Sequence, residues 1–498
     1  LRIAPMELRE VLEGAHAQIE GDPATEIVGL AYDNRKAREG TLFFCVPGAT
    51  ADGHDFAPAA VDAGASALVV ERRLGLGVAE ALVEDARAAM APAAARFFGN
   101  PTQRLRVAGI TGTNGKTTTA FLVRHILERT GVQTGLLGTV KSVVGGIEAE
   151  VERTTPEAID LQATFRAMLE AGDMACAMEV SSHALTLGRA RGITFGVGVF
   201  TNLTQDHLDF HADMEDYFAA KRLLFEGPGR PPVAVVNLDD PFGRRLADEI
   251  AGEYGESLVT FSAVGEDAAL RAREVEFDAT GSRFVVSGTF GEAKVEMPLP
   301  GDFNVENALA ALGAAMALGA DGPRAAQALS DADRVPGRME PIDAGQPFAV
   351  LVDYAHTPDS LENVLEAARR LTPDPGRVLC VFGCGGDRDR DKRPLMGAIA
   401  DRLADVPVVT SDNPRSEDPD SIVSQIRAGM ERDDVVVEVD RRDAIRLALE
   451  RAEAGDTVVI AGKGHEQGQE FEGGRKVPFD DREVALAELR ALGAGARG

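Results

Sequence analysis

Between residues 106 and 130 the sequence passes from an apolar run (106–111) through a glycine-rich turn (112–116) into a helical pattern, with Ala120, Val123 and Leu127 on one face and Gly131 as its stop. No other feature constrains the chain as much, because a short buried strand feeding a glycine turn and a helix opens a βαβ unit, and such units build parallel sheets covered by helices. Further apolar runs at 175–180, 197–202 and 233–237 each lead into turn or helix residues, which predicts a doubly wound, mostly parallel sheet. After Pro336-Gly337 a second set, at 348–353, 377–382, 406–410 and 457–461, alternates with helical stretches. Ahead of both sets, residues 1–98 mix short apolar runs with helical patterns and end in the turn formers of 97–101. The expected fold is therefore α/β in three domains. These are a small α/β domain at 1–99, a central P-loop-type domain with helices on both faces of its sheet at 100–332, and a Rossmann-like α/β domain at 333–498. A length of 498 residues suits three domains of ~100–200 residues each.

Charge narrows the partners. The net charge is −28, which argues against nucleic acid or an anionic membrane as a partner, and no apolar run approaches the ~18 residues of a membrane helix. Anionic small molecules then require local clusters of basic residues. The four cysteines, Cys45, Cys176, Cys380 and Cys384, lie in apolar context, and the three-residue spacer of the last pair fits no common zinc spacing. They read as reduced thiols in a cytoplasmic protein. The start of the chain lacks the basic and apolar stretches of a secretory signal, and opening on Leu1 leaves room for leading residues.

The strongest local motif is Thr111-Gly112-Thr113-Asn114-Gly115-Lys116-Thr117-Thr118. Its glycines let backbone N–H groups face a phosphate, the helix start adds partial positive charge, Lys116 can reach outer phosphates, and the Thr117 hydroxyl can ligate Mg²⁺. Five of the eight histidines (His183, His207, His211, His356 and His465) fall in dense polar clusters. Glu179 and His207 stand where strands end, the edge at which parallel sheets present ligand-binding groups, and Glu179 is a hard oxygen donor suited to Mg²⁺. Each cluster also reads as an ordinary loop network. Lys221 shares a helical stripe with Met214, Tyr217, Phe218, Leu224 and Phe225, so it faces inward while Arg222 does not. A buried amine that loses its proton can take up CO2 and become a carbamate able to ligate a metal; a packed stem with its head reaching water is the alternative. In the last third, residues 383–394 carry Arg388, Arg390, Lys392 and Arg393, Asp412-Asn413-Pro414-Arg415 follows the next strand, and Gly462-Lys463-Gly464-His465-Glu466 follows the last. Three polar loops at one end of a parallel sheet form one binding face, where Arg415 can grip a carboxylate and Asp412 and Glu466 can receive an ammonium; salt bridges internal to the loops are the alternative.

With these residues in view, the chain resembles the Mur ligases over essentially its whole length. The resemblance rests on residues 111–118, Met178 to His183, Asn202 to Asp209, Tyr217 to Lys221, Gly301 to Asn307, Gly337-Arg338-Met339-Glu340, Asp353 to Pro358 and Asp412 to Arg415. It implies an ATP-dependent acid–amino-acid ligase of cytoplasmic peptidoglycan precursor synthesis. ATP would phosphorylate the D-glutamyl γ-carboxylate of UDP-N-acetylmuramoyl-L-alanyl-D-glutamate, and an amine of meso-2,6-diaminopimelate would attack the acyl phosphate. By the same resemblance Gly112, Thr113, Asn114, Gly115, Lys116, Thr117 and Thr118 hold ATP, with Asn304 at adenine, Arg338 at the phosphates, Asp353 at the ribose and His356 nearby. Thr117, Glu179, His207 and a carbamylated Lys221 would hold Mg²⁺, and Lys116, Glu179, His207 and Lys221 form the catalytic set. The nucleotide-sugar would meet Asp33, Asn34, Arg35, Ala49, Thr50, Ala51, Thr154, Thr155, Ser181 and Arg189. Diaminopimelate would meet Arg388, Asp412, Asn413, Pro414, Arg415, Gly462 and Glu466. Asn34 stands where the family often has serine, and Leu187 where glutamine is expected. A monomer is expected.

Three other readings share parts of the pattern. A ligase adding L-lysine would differ in the loop where this chain has Asp-Asn-Pro-Arg, a folylpolyglutamate synthetase would lack this kind of first domain, and a regulatory ATP-binding module would need neither Lys221 nor Arg415. Lysine lacks the second carboxylate of diaminopimelate. In a site built around Arg415 it would leave the guanidinium without a partner, at roughly 2–5 kcal/mol.

Overall fold

The computed structural model describes residues 3–48, 51–151, 153–227, 229–265 and 267–495. Contacts group the chain into two compact units. One comprises residues 1–111, 131–199 and 220–234; the other comprises 112–130, 200–219 and 235–498.

In the first unit a sheet runs in the order Gln18–Glu20, Ala79–Leu82, Ala65–Val70, Thr41–Phe44, Gly29–Ala31, and all its pairings but the first are parallel. Leu42, Phe43, Phe44, Leu68, Val69 and Val70 are all fully buried. Such a continuous apolar run is what strands covered on both faces require. The helix Ala86–Phe97 begins at Asp85, whose carboxylate accepts the Ala88 N–H at 2.9 Å, so one otherwise unpaired helix-start donor is satisfied. Elsewhere in this unit Ala175–Glu179 pairs in parallel with both Arg106–Thr111 and Thr134–Leu137, and Ser142–Val144 and Ile147–Ala149 add an antiparallel edge. Glu179 thus ends a fully buried strand.

In the second unit the helix Lys116–Arg129 packs against Asp302–Ala317. The latter is apolar nearly all round, with Ala308, Ala311, Ala314 and Ala315 fully buried, because small side chains let helix backbones approach closely. The strands Ala349–Asp353, Thr457–Ala461, Val378–Phe382 and Val406–Val409 lie side by side in parallel, flanked antiparallel by Glu340–Pro341 and in parallel by Val436–Val437. The loops that follow the four central strands therefore emerge at one end. The strands Leu270–Asp278, Gly281–Gly288 and Gly291–Met297 form an antiparallel meander for which the sequence reading had no element. The buried apolar residues there alternate, among them Leu270, Ala272, Phe284, Val286, Val295 and Met297, so no apolar run marks the strands.

The α/β class with large, mostly parallel sheets agrees with the expectation from sequence, and predicted strands fall within about two residues of observed ones. All four cysteines are free and buried. No helix of the described residues is long and apolar enough to cross a membrane.

Candidate functional site

Gly115 caps the N-terminus of Lys116–Arg129 at φ 82°, where a Cβ would lie 2.2 Å from Asn307 Oδ1. Only glycine lets the loop pass this close while holding a left-handed turn. At Gly112 a Cβ would lie 1.8 Å from Thr201 Oγ1. The Lys116 ammonium donates to the carbonyls of Gly112 (2.9 Å) and Thr113 (2.7 Å), and Arg338 Nη2 donates to Thr117 Oγ1 at 3.0 Å. Asn114 is fixed at both ends, its N–H donating to Asn202 Oδ1 (2.8 Å) and its amide to Asp359 Oδ2 (2.7 Å).

Beside the loop opens a cavity of about 370 Å³. Asn114, Gly115, Thr118, Asn307, Arg338 and Asp353 line it, together with the apolar Phe261, Phe277 and Phe303 and the acidic Asp239, Glu306 and Asp359. Aromatic rings in its wall suit a flat base, and Arg338 supplies a cation beside the loop. Asp353 accepts the Met339 N–H at 2.7 Å; burial raises its pKa, against the pull of Arg338. Glu306 is pushed up to about 8 by burial and by Asp239, although Asn237 donates to it at 3.0 Å. The side chain of Asn304 does not reach the cavity in this way: its amide donates to the Pro300 carbonyl at 2.7 Å and its oxygen accepts from Asn307.

A second cluster centres on Asp206, which is buried with Lys392 Nζ at 3.3 Å, His207 Nε2 at 3.5 Å and His356 Nε2 at 3.7 Å. Burial opposes ionisation of Asp206, but Lys392 and the histidines outweigh it and hold the pKa well below the usual carboxylate range. His207 carries φ 58°, a strained backbone for a non-glycine residue, which suits a side chain held for a purpose.

The loops after the parallel strands form the third cluster. Arg415 also has a left-handed backbone, φ 51°. Its Nε donates to Glu470 Oε2 at 3.0 Å and its Nη1 to the Gly386 carbonyl at 2.8 Å, so the guanidinium is partnered within the protein. Asn413 donates to Glu466 Oε2 at 2.9 Å, and Lys463 donates to both Asn413 Oδ1 (2.9 Å) and Glu466 Oε2 (2.8 Å). Gly462, at φ 123°, leaves space for Asp412, whose Oδ2 a Cβ would meet at 2.6 Å. Pro414 is buried against Gly386, whereas Arg388 is exposed and donates to the Asp387 carbonyl. Beneath the loops the fully buried Arg441 forms an ion pair with Asp481 (2.7 Å) and donates to the Ser411 and Ala461 carbonyls.

In the first unit, both Glu179 oxygens accept from Thr139, the N–H at 2.8 Å and the hydroxyl at 2.9 Å, and a Cβ on Gly138 would lie 2.4 Å from that carboxylate. Thr155 Oγ1 donates to the Glu179 carbonyl and accepts the Ser181 N–H, which ties three expected site residues together, while Thr154 meets Thr139. Arg189 pairs with Glu157 at 2.9 Å, and Arg87 reaches the same carboxylate at 2.8 Å. Lys221 is 1% exposed, in accord with its place on the inward stripe. Asp33 and Arg35 pair with each other beside Asn34, and the Ala51 carbonyl accepts the Gly48 N–H. Ala49 and Thr50 lie outside the described residues.

Asn202, Asp206, Glu306 and Lys463 stand in stretches singled out from sequence but received no role of their own, and Asp359 was not singled out. Lys463 had a legible signal, a lysine between two glycines just past a parallel strand; Asp359 had none, because its role depends on a contact 245 residues away.

Comparison with known proteins follows the same outline. Residues 26–108 match the family described as "Mur ligase family, catalytic domain", 110–315 the "Mur ligase middle domain" and 337–464 the "Mur ligase, glutamate ligase domain". A UDP-N-acetylmuramoyl-L-alanyl-D-glutamate--2,6-diaminopimelate ligase of Geobacillus kaustophilus is 48% identical over 481 residues, covering 95% of this chain and 96% of its own. One of the same description from Streptomyces coelicolor is 49% identical over 482 residues, 94% of each chain. A solved structure with that description superposes with a TM-score of 0.69 at 33% identity, covering 98% of this chain and 99% of the other.

Proposed function

This chain belongs to the Mur ligase family, and from that premise we propose that it joins meso-2,6-diaminopimelate to the D-glutamyl γ-carboxylate of UDP-N-acetylmuramoyl-L-alanyl-D-glutamate at the expense of ATP, in the cytoplasm. The observation that carries the reading is the pairing of a glycine-turned phosphate loop beside a base-sized cavity with an Asp412–Arg415 loop that offers both a carboxylate and a guanidinium. A three-domain division at 1–99, 100–332 and 333–498 belongs to the same proposal and accords with the three matched stretches.

The site suits nucleotide phosphates: Gly115 keeps the cradle open where a Cβ would strike Asn307, and Lys116 and Arg338 supply cations at its rim. For Mg²⁺ the hydroxyl oxygen of Thr117, at the start of the helix Lys116–Arg129, is a hard donor beside the phosphate loop. Bound there, the metal would neutralise phosphate charge.

The chain's own groups account for the rest. Lys116 exchanges its two loop carbonyls for phosphate oxygens and stabilises the charge that develops as the γ-phosphoryl group moves to the glutamyl carboxylate. Thr155, Ser181 and Arg189 meet the nucleotide-sugar substrate. Asp412 and Glu466 hold the distal ammonium of the diamino acid and Arg415 its distal carboxylate, so that the other amine attacks the acyl phosphate, forming the amide bond and releasing phosphate.

Phosphate release by the purified protein should require ATP, the muramoyl dipeptide and an amino acid together, and among amino acids meso-diaminopimelate should support it best. Release that proceeds equally well without the dipeptide would overturn the reading, and a preference for L-lysine would overturn the choice of amine.

A further inference from the structure

Lys463 is fully buried although it sits in a loop, and none of the roles described above uses it. Its ammonium donates to Asn413 Oδ1 and to Glu466 Oε2. Asn413 Oδ1 also accepts the Glu470 N–H at 2.9 Å, so two donors fix the oxygen of this carboxamide on one side. The Asn413 amide nitrogen must then face Glu466, to which it donates at 2.9 Å. An amide rotated by half a turn would set its N–H groups against an ammonium and a backbone N–H, and its oxygen against a carboxylate.

We propose that Lys463 is a positioning residue for the amino-acid site: it locks the Asn413 carboxamide and the Glu466 carboxylate into one orientation toward the incoming diamino acid. This rests on the function proposed above. Lys463 lies beyond the reach of solvent and its charge is balanced locally, where Arg441 and Arg415 face Asp412, Glu466, Glu470 and Asp481. Burial raises the pKa of Asp412, but Lys463 is the first of the cations that overcome this and hold it below the usual value. One ammonium therefore holds the Asn413 carboxamide and the Glu466 carboxylate together and favours the ionised Asp412. Tyr354 carries the same network toward the nucleotide, with its hydroxyl 3.5 Å from Glu466 and Arg338 stacked 4.7 Å above its ring.

The test is steady-state kinetics on Lys463→Met, which keeps the volume and removes the charge, alongside the wild type and Asn413→Ala. The expected result is a KM for diaminopimelate raised at least tenfold, with KM values for ATP and the muramoyl dipeptide within threefold of wild type. The double variant should be no more than threefold worse than Asn413→Ala alone, because both changes act through one amide. A folded Lys463→Met enzyme with a near-normal KM for diaminopimelate, or fully multiplicative losses in the double variant, would overturn the proposal. If Lys463→Met does not fold, Asn413→Asp carries the test. It keeps the Lys463 contact but turns an oxygen toward Glu466, so it should raise the same KM at least tenfold, and a near-normal value would be equally fatal. Wild-type enzyme that releases no phosphate with diaminopimelate would instead count against the proposed function.

Discussion

Arg415 shows how much a single side chain's surroundings change an energetic argument. The sequence alone suggests that a ligand without a distal carboxylate strands this guanidinium, but Glu470 and the Gly386 carbonyl already hold it. A ligand carboxylate therefore joins or replaces an existing partner, and discrimination against L-lysine should be nearer the lower end, about 10- to 100-fold in kcat/KM, or roughly 1.4–3 kcal/mol. Arg415→Lys should lower kcat/KM for diaminopimelate by about that factor with ATP affinity kept, since an ammonium cannot reproduce the planar fork; equal losses for both ligands would contradict this. Lys221→Ala should reduce ligation by about 100-fold or more while ATP still binds, and added formate or acetate should restore part of the rate by supplying the missing oxygens. Near-normal turnover in that variant would dispose of the carbamate. Glu306 titrates near 8 in the folded protein against about 4.3 in an unfolded chain, so the folded state keeps the extra proton. That contribution is complete below about pH 4 and is lost as the pH rises through 8. Between pH 5 and pH 8 the wild type should lose up to a few kcal/mol relative to Glu306→Gln, as measured by urea unfolding, and parallel pH profiles would show that the carboxyl is solvated.

At the scale of elements, the ion pair Arg441–Asp481 joins the first turns of the helices Arg441–Arg451 and Asp481–Gly495, and the guanidinium caps the carbonyls of Ser411 and Ala461 at two strand ends. Removing one partner leaves a buried charge unmatched, so Asp481→Ala should cost about 3–5 kcal/mol. A thermal melt within a degree or two of wild type would show otherwise. The parallel strands were legible because strands covered on both faces are written as unbroken apolar runs, as in Val378–Phe382. The phosphate loop was legible because its chemistry is local and its glycines are obligatory. The meander Leu270–Met297 was not, because half of each strand faces water and the charges of Arg271, Arg273 and Glu292 mask the pattern. Pairings such as Lys392 with Asp206 and Asn114 with Asp359 also escaped, since partners 186 and 245 residues apart carry no mark of one another in the sequence.

At the scale of the molecule, a chain ended at residue 332 should lose Arg338, Asp353 and Asp359 from the wall of the cavity beside the glycine-rich loop and with them measurable ATP affinity in calorimetry; affinity within threefold of the full chain would refute the role proposed for those residues. The two compact units are also interleaved along the chain, which passes from one to the other after residues 111, 130, 199, 219 and 234. Neither unit is a continuous stretch of polypeptide. On the ribosome, the first cannot be completed until residue 234 has cleared the exit tunnel, and the segments 112–130 and 200–219 must wait for partners synthesised still later, at about 5–20 residues per second. Early apolar strands such as Arg106–Thr111, whose partner Ala175–Glu179 is made much later, therefore spend seconds in a nascent chain without a final neighbour, and during that interval chaperones would have the most to protect.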